Sequence, residues 1–410
     1  MYDVICVGGG VAGAATAGVL ARNGRRVLVL DKVCIPRDKA CGEGILPHGV
    51  AVLDRLGVPL PHAILTRGVH FRLGGESALL RFPAGHGVAV RRFHLDHALR
   101  RFAAELGAEV CEERVLRVES GAPDRGFGSG SGFGRGRPAR VHTQGRGVIE
   151  GRVLVGADGP HSVFHRDFRV GVRASRSRFG LSTHLLGFEA APDLVEVVFF
   201  DGGEAYIAPV DGGMTLVALL LDRGCGLGAG DVLPFLQRLL PDRTRGARLA
   251  TPVLGAAPLA FSVDRMAGAD WLLVGDSAGR IDPITGEGIS VALVGAEMAA
   301  VAIEKVLAGS AVGTLALAEY ETRVREFRRP IERLTASLLF AAGRPWLARR
   351  LIRRGEQLEP LMRVATGMER PSWFGLAGMV LPGGRANLPG WTNRRKRTRN
   401  HVMESPPERS

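Results

Sequence analysis

Two short apolar runs open the chain, Tyr2–Val7 and residues 25–30, rich in β-branched residues and too short for helices. Residues 14–22 between them have helix-forming composition, so the pattern predicts strand, helix, strand. Residues 46–56 read as a helix, 68–82 as paired strands and 88–90 as a strand fragment. Leu95, Leu99 and Phe102 fall at helical spacing and predict an amphipathic helix ending near Gly107. Strand patterns return at 108–111, 115–119, 139–143 and 151–155. From 179 to 222 the period is again strand-like. LSTHLLGFEA, LVEVVFFDGGEAYIAPV and GMTLVALLLD predict three antiparallel strands joined by glycine turns. Residues 231–240 predict a short helix, 271–274 a buried strand, and 289–307 a long helix lined with alanine. Beyond Leu315 the chain reads as mostly helical, with arginine-rich faces. Residues 121–138, GAPDRGFGSGSGFGRGRP, predict a flexible hairpin loop, because no strand enters their glycines and no helix leaves them. Residues 393–410 are basic and polar and predict a disordered tail.

Composition narrows the possibilities. The 410 residues are 46% hydrophobic, enough for a sizeable core and for two domains or one two-lobed enzyme. Aromatic content of 6% argues against a stacking surface for single-stranded nucleic acid, and no nucleic-acid partner is expected. The formal charge of +13 is carried almost wholly by arginine, the lysines being Lys32, Lys39, Lys305 and Lys396. Biased composition explains it, or else a negatively charged partner: an anionic substrate, an acidic carrier protein or an anionic membrane surface. Arg344, Arg349, Arg350, Arg353 and Arg354 either face such a surface or simply solvate a helix. Cys6, Cys34, Cys41, Cys111 and Cys225 are odd in number and form no CxxC, so neither a disulfide framework nor a metal site is expected. A reducing cytoplasm fits. The apolar start lacks the basic residues of a signal peptide, and no apolar run reaches membrane-spanning length.

The candidate chemistry begins between the first two strands. Gly8, Gly10 and Gly13 form GxGxxG, followed by a helix, a strand and Asp31. That is the order a dinucleotide fold requires. Gly8 allows the tight turn, Gly10 lets the backbone approach a pyrophosphate, and Gly13 keeps the helix near the strands. The free N–H groups of the helix start, at Val11 and Ala12, then receive the pyrophosphate. Asp31, with Lys32 beside it, can bind an adenosine ribose. A second stretch, WLLVGDSAGRIDPITGEGISVAL, ends a strand at Gly275 and places Asp276 at its carboxyl end. Pro283, Gly286, Gly288 and Ile289 lead into a helix whose bare N–H groups suit an anion. A third, VLVGADGPHSVFHR, sets Asp158 and Gly159 after a strand.

Together these stretches resemble the FAD-dependent oxidoreductases of the p-hydroxybenzoate hydroxylase type, and within them the geranylgeranyl reductase-like branch. The resemblance covers roughly residues 1–307. It implies that Gly8, Gly10, Gly13 and Asp31 take the adenosine diphosphate. It also implies that Arg92, in a helix motif with Leu95, Asp96 and Leu99, reaches the cofactor. Asp158 and Gly159 match the DG motif, and Gly275 and Asp276 the GD motif, whose aspartate holds the ribityl chain. PRDKACGEG resembles the PxxxxCG loop of the reductases and implies that Cys41 and Gly42 lie near the flavin. Two segments depart from the family. The DG motif usually continues SxxR, but His165 stands at the arginine position and Arg166 one later. The aromatic YxWxFP segment that lines a prenyl pocket is replaced by EAYIAPV, which puts Glu204, Tyr206 and Ala208 where bulky residues would be.

The expected fold is therefore α/β. A doubly wound, Rossmann-like FAD-binding domain comes from residues 1–67, 88–178 and 250–310. An inserted antiparallel sheet, 68–87 and 179–249, carries the substrate, and C-terminal helices follow over 311–392. FAD is the expected cofactor and NAD(P)H its transient reductant, since no second dinucleotide turn exists. Candidate catalytic residues are Cys41, Tyr206 and Glu287. Cys41 is a catalytic, redox or packing residue, and Glu287 either polarises the flavin or caps its helix. Hydroxylation of a small polar aromatic or polyketide-like substrate is preferred. An unpaired glutamate in a prenyl trough would cost several kcal/mol, and Tyr206 offers a phenol to a polar ring. The alternatives are reduction of a double bond, as in the geranylgeranyl reductases, and an accessory flavoprotein acting on a carrier- or protein-bound substrate.

Overall fold

The computed structural model describes residues 1–33, 36–122, 137–176, 178–309 and 313–366. The predicted 121–138 loop, apart from its ends, and the predicted tail lie outside these residues. The fold is mixed α/β. Nine helices are present among the described residues. They are α1 (Val11–Arg22), α2 (Pro47–Leu56), α3 (Arg92–Glu105), α4 (Val163–Asp167), α5 (Val232–Leu239), α6 (Gly288–Leu307), α7 (Gly313–Ala342), α8 (Pro345–Arg353) and α9 (Glu359–Ala365).

The first sheet has strands in the order Glu109–Glu112, Val27–Asp31, Tyr2–Val7, Val148–Gly156, Ala139–Thr143, Val115–Glu119. Tyr2–Val7 lies parallel to both Val27–Asp31 and Val148–Gly156. The first half of Val148–Gly156 also takes Ala139–Thr143 antiparallel, and its second half takes Trp271–Leu273 parallel. All five residues of Val27–Asp31 are buried, which explains why the run is apolar on both faces rather than alternating. α1 crosses between the two N-terminal strands and packs on α3 and α6. Its inner face is small: Ala14, Ala15 and Ala17 are fully buried, and Ala296 and Ala299 of α6 match them. A Cβ on Gly18 would come within 2.2 Å of the Phe102 ring of α3, so this glycine sets the approach of the two helices.

The second sheet runs Arg248–Leu249, Arg178–Leu186, Met214–Asp222, Gly203–Val210, Val195–Phe200, Gly68–Leu73, Glu76–Arg81. Four strands, not three, occupy the segment from 178 to 222. LVEVVFFDGGEAYIAPV breaks into a hairpin at Asp201 and Gly202, where Gly202 takes φ +89°. Val195–Phe200 pairs parallel with Gly68–Leu73, joining two parts of the sheet distant in sequence. Side chains alternate along these strands. Ala205, Ile207, Val217, Leu219 and Leu221 pack with Val232 and Leu236 of α5 into a second core. The residues between them, Tyr206 and Ala218 among them, face a large cavity.

Candidate functional site

The cavity measures about 710 Å³ and runs from the α1 turn to the second sheet. Every candidate residue from the sequence lies on its wall except Gly13 and Glu287. Gly8 adopts φ +102°, and a Cβ there would sit 2.3 Å from the Ala157 carbonyl oxygen. Gly13 does its work behind the wall, since a Cβ would lie 2.0 Å from the Gly8 carbonyl oxygen. Gly10 is different: the nearest neighbour of a Cβ there would be Lys39 Nζ at 3.6 Å, an ordinary contact with a flexible side chain on the cavity wall. No side chain caps α1, and its first turn holds no acid, which leaves its N–H groups to a ligand anion. Asp31 is buried at the end of its strand. Its Oδ2 accepts from the Gly9 N–H at 2.9 Å and from Arg100 Nη2 at 2.6 Å.

Across the cavity, Ser277 ties two motifs together. The Gly159 N–H donates to its Oγ at 2.9 Å, and its hydroxyl lies 3.3 Å from Asp158 Oδ1. Burial raises the Asp158 carboxyl above its usual range, against hydrogen bonds from Ser162 and the Val163 N–H. His165 Nε2 meets the Ser277 carbonyl oxygen at 2.7 Å, while Arg166 turns outward to Asp167. The family's arginine position is thus filled here by a histidine that braces the GD loop. Asp276 pairs with Arg280 at 2.5 Å. Pro283 and Ile289 flank Gly286 and Gly288, and a Cβ on either glycine would meet nothing within 4 Å. α6 starts here without a side-chain cap. The Glu287 carboxylate is turned away from this wall. It is 1% exposed and lies 3.2 Å from His48 Nε2. The expectation that Glu287 polarises the flavin does not match this orientation.

The loop carrying Cys41 and Gly42 forms the third wall. Arg92 donates twice to Asp96, at 2.8 and 3.1 Å, and Lys39 Nζ meets the same carboxylate at 2.5 Å. Burial works against the Arg92 charge, but Asp96 holds the guanidinium above its usual range. Burial lowers the Lys39 ammonium, with Asp96 opposing. Two residues here escaped the sequence reading. Glu43 is 1% exposed and takes φ +53°, which a non-glycine residue adopts only under constraint. Its Oε1 accepts from the Arg92 N–H at 2.9 Å, and its Oε2 lies 2.8 Å from His184 Nε2. His184 Nδ1 in turn reaches Thr251 Oγ1 at 3.0 Å. The one local signal was an acid between two glycines in CGEG.

Beyond these loops the cavity becomes apolar. Val69, Phe71, Val195, Val197 and Phe199 line it from the sheet, and Leu338, Leu351 and Met362 from α7, α8 and α9. Tyr206 stands at the junction, its hydroxyl donating to the Ile284 carbonyl at 2.6 Å. Glu204 is absent from the wall. Arg178 Nη2 contacts both its oxygens, at 2.7 and 2.6 Å, and Arg178 Nη1 donates to Asp282 at 2.9 Å. Arg178 Nε lies 3.1 Å from Asp222. One guanidinium cannot neutralise three carboxylates. Burial, with Asp282 and Asp222 adding to it and Arg178 opposing, pushes the Glu204 carboxyl up to about 7.

A family model described as an FAD binding domain matches residues 1–109. The menaquinone reductase of Mycobacterium tuberculosis H37Rv is 31% identical over 325 residues, 73% of this chain and 75% of that protein. Digeranylgeranylglycerophospholipid reductase 2 of Methanopyrus kandleri is 32% identical over 330 residues, covering 74% and 78%. Among solved structures, the flavin-dependent brominase Bmp2 aligns with TM-score 0.77 at 18% identity, over 92% of this chain and 97% of that one. Halogenase PltM, in complex with phloroglucinol and FAD, aligns with TM-score 0.74 at 15% identity, over 92% and 90%. The two structures share the fold. The uncapped starts of α1 and α6, the side-chain-free space at Gly286 and Gly288 and the unclashing approach at Gly10 fit an FAD. This chain belongs to the FAD-dependent oxidoreductases of the p-hydroxybenzoate hydroxylase type, in the geranylgeranyl reductase-like branch that includes menaquinone reductase.

Proposed function

We propose that this enzyme reduces a carbon–carbon double bond in a long apolar, isoprenoid-like substrate. The observation that carries this reading is the apolar trough between the second sheet and helices α7, α8 and α9. The preference for hydroxylation rested on the missing prenyl-lining aromatics, on the Tyr206 phenol and on a glutamate lying unpaired in that trough. Glu204 is instead held by Arg178 off the wall, so the objection to a prenyl chain falls. Much of the apolar lining comes from strands at 69–71 and 195–199 and from the C-terminal helices, while the EAYIAPV segment supplies Tyr206 alone. The two sequence relatives named above are reductases, which favours the same chemistry, while the two structural neighbours are halogenases that share the fold.

Bound FAD supplies two-electron redox chemistry, with NAD(P)H as the proposed reductant. In this reading Gly8, Gly10, Val11 and Ala12 hold the pyrophosphate, Asp31 and Lys32 the adenosine end, and Asp276 the ribityl chain. Asp158, Gly159, Cys41, Gly42 and Arg92 flank the ring system. The Gly288 N–H at the uncapped start of α6 would favour negative charge on it. Residues 1–67, 88–178 and 250–310 act as the cofactor domain, and 68–87 with 179–249 as the inserted substrate domain. The deciding experiment is turnover of a prenylated quinone with NADH and NADPH in parallel, under labelled oxygen. After re-oxidation of any quinol to the quinone, the product should retain two added hydrogens on carbon of the prenyl chain and carry no label. A product carrying one labelled oxygen atom and no added hydrogens would replace this reading with hydroxylation.

A further inference from the structure

α8 separates the cavity from the outside with a single layer. Its sequence is PWLARRLIR, and Leu347, Ala348, Leu351 and Ile352 are buried. Ala348, Leu351 and Ile352 form cavity wall. On the opposite side Trp346, Arg349, Arg350 and Arg353 recur at i, i+3, i+4 and i+7, which places them in one stripe. Trp346 is 60% exposed, an unusual position for an indole beside three arginines. The end of α7 extends the same character: Phe340 is 47% exposed, and the Arg344 guanidinium lies 3.6 Å over its ring. Among the described residues, Glu76 is paired with Arg353 at 2.7 Å and also feels Arg349. The net charge of the face stays positive.

Exposed tryptophan flanked by arginines on a short amphipathic helix is the pattern of a helix lying in a lipid headgroup layer. The indole sits at the interface, and the arginine stems lie along it with their charges on anionic headgroups. We infer that the outer face of α8, with Phe340 and Arg344, docks this enzyme on an anionic lipid bilayer. The inner face of the same helix then borders the trough, so an apolar chain need cross only one helix to pass from bilayer to cavity. This inference rests on the proposed long apolar substrate, for which the bilayer is the natural reservoir.

The test uses the full-length, FAD-loaded protein and sedimentation with vesicles. One vesicle set is an equal mixture of phosphatidylglycerol and phosphatidylcholine, the other pure phosphatidylcholine. Binding to the anionic vesicles is expected, with little to the neutral ones. Arg349→Ser with Arg350→Ser should weaken it about fivefold per arginine, and adding Trp346→Ser should weaken it further. FAD content and turnover of a short-chain, water-soluble substrate should stay unchanged in these variants, because none of the three side chains lines the cavity. Anionic binding that survives the triple substitution would overturn the inference and move the contact elsewhere, for instance to the basic run at 394–399. No binding to either vesicle would overturn it as well. Failure of the reductase reading has a separate signature, since it would appear in the product of the water-soluble substrate and not in the vesicle pellet.

Discussion

At the scale of single residues, glycines sort into two kinds that a motif treats alike. Gly13 meets protein backbone, whereas Gly10 meets only the flexible end of Lys39 at 3.6 Å. Gly13→Ala is therefore expected to lower the melting temperature of the FAD-free protein, because a 2.0 Å approach forces the turn and helix apart. Gly10→Ala should leave that temperature within a degree or two and instead cut FAD affinity by tenfold or more in a flavin-fluorescence titration. Equal melting losses in both would mean that Gly10 is structural. Glu204 gives a pH dependence with a definite sign. Its folded-state value, about 7, lies above its ordinary 4.5. The folded protein thus binds more protons than the unfolded one between those values, and the contribution to stability is full below pH 4.5 and lost as pH rises through 7. Glu204→Gln removes the titration while keeping an acceptor for Arg178. The melting temperature of this variant minus that of the parent should grow from pH 5 to pH 7.5, and a flat difference would refute the assignment. The turn glycines and Asp31 were legible in the sequence because the spacing of their motif is local, although Gly8 packs on Ala157 and Asp31 pairs with Arg100. The Glu43–His184 contact spans 141 residues, and Arg178–Glu204–Asp282 joins two strands and a loop. Such pairs depend on sheet register, which no local pattern encodes. That is why Glu204 read as an unpaired charge.

At the scale of elements, period and length carried most of the information. The short apolar strands and the helix around Leu95 and Leu99 stand where the pattern predicts them. The miscount in the second sheet has a physical cause: Val195–Phe200 and Gly203–Val210 are both apolar, and only the two-residue turn between them divides the run. The partnering of elements was less legible. α1 packs on α3 because Gly18 lets Phe102 approach, a contact between residues far apart in sequence. Gly18→Ala should destabilise the protein by about 1–3 kcal/mol, the usual cost of overpacking a filled interface. Adding Phe102→Leu should recover part of that loss in a double-mutant cycle by urea melts. Purely additive losses would place the strain of Gly18→Ala somewhere other than the ring.

At the scale of the whole molecule, class and cofactor were legible, since four motifs in fixed order define one side of the cavity. The substrate side was not. Its wall draws on residues from Val69 to Met362, brought together by a parallel strand pairing and by helices that fold back over the sheet. EAYIAPV had been taken as the trough, yet it supplies Tyr206 at the edge while other segments supply the apolar length. This yields a test of the trough itself. Ala341 of α7 is 4% exposed and lies on the cavity wall, so a larger side chain there would project into free volume rather than into packed core. Ala341→Phe is expected to retain FAD and to turn over a short-chain substrate within about twofold of the parent. Turnover of a long-chain substrate should fall by an order of magnitude or more, because the chain and the new ring compete for the same apolar space. The comparison of the two chain lengths separates steric loss from general damage. If both substrates lose activity equally while FAD is retained, Ala341 does not border the path of the chain, and the trough beside α7 is not where the substrate lies.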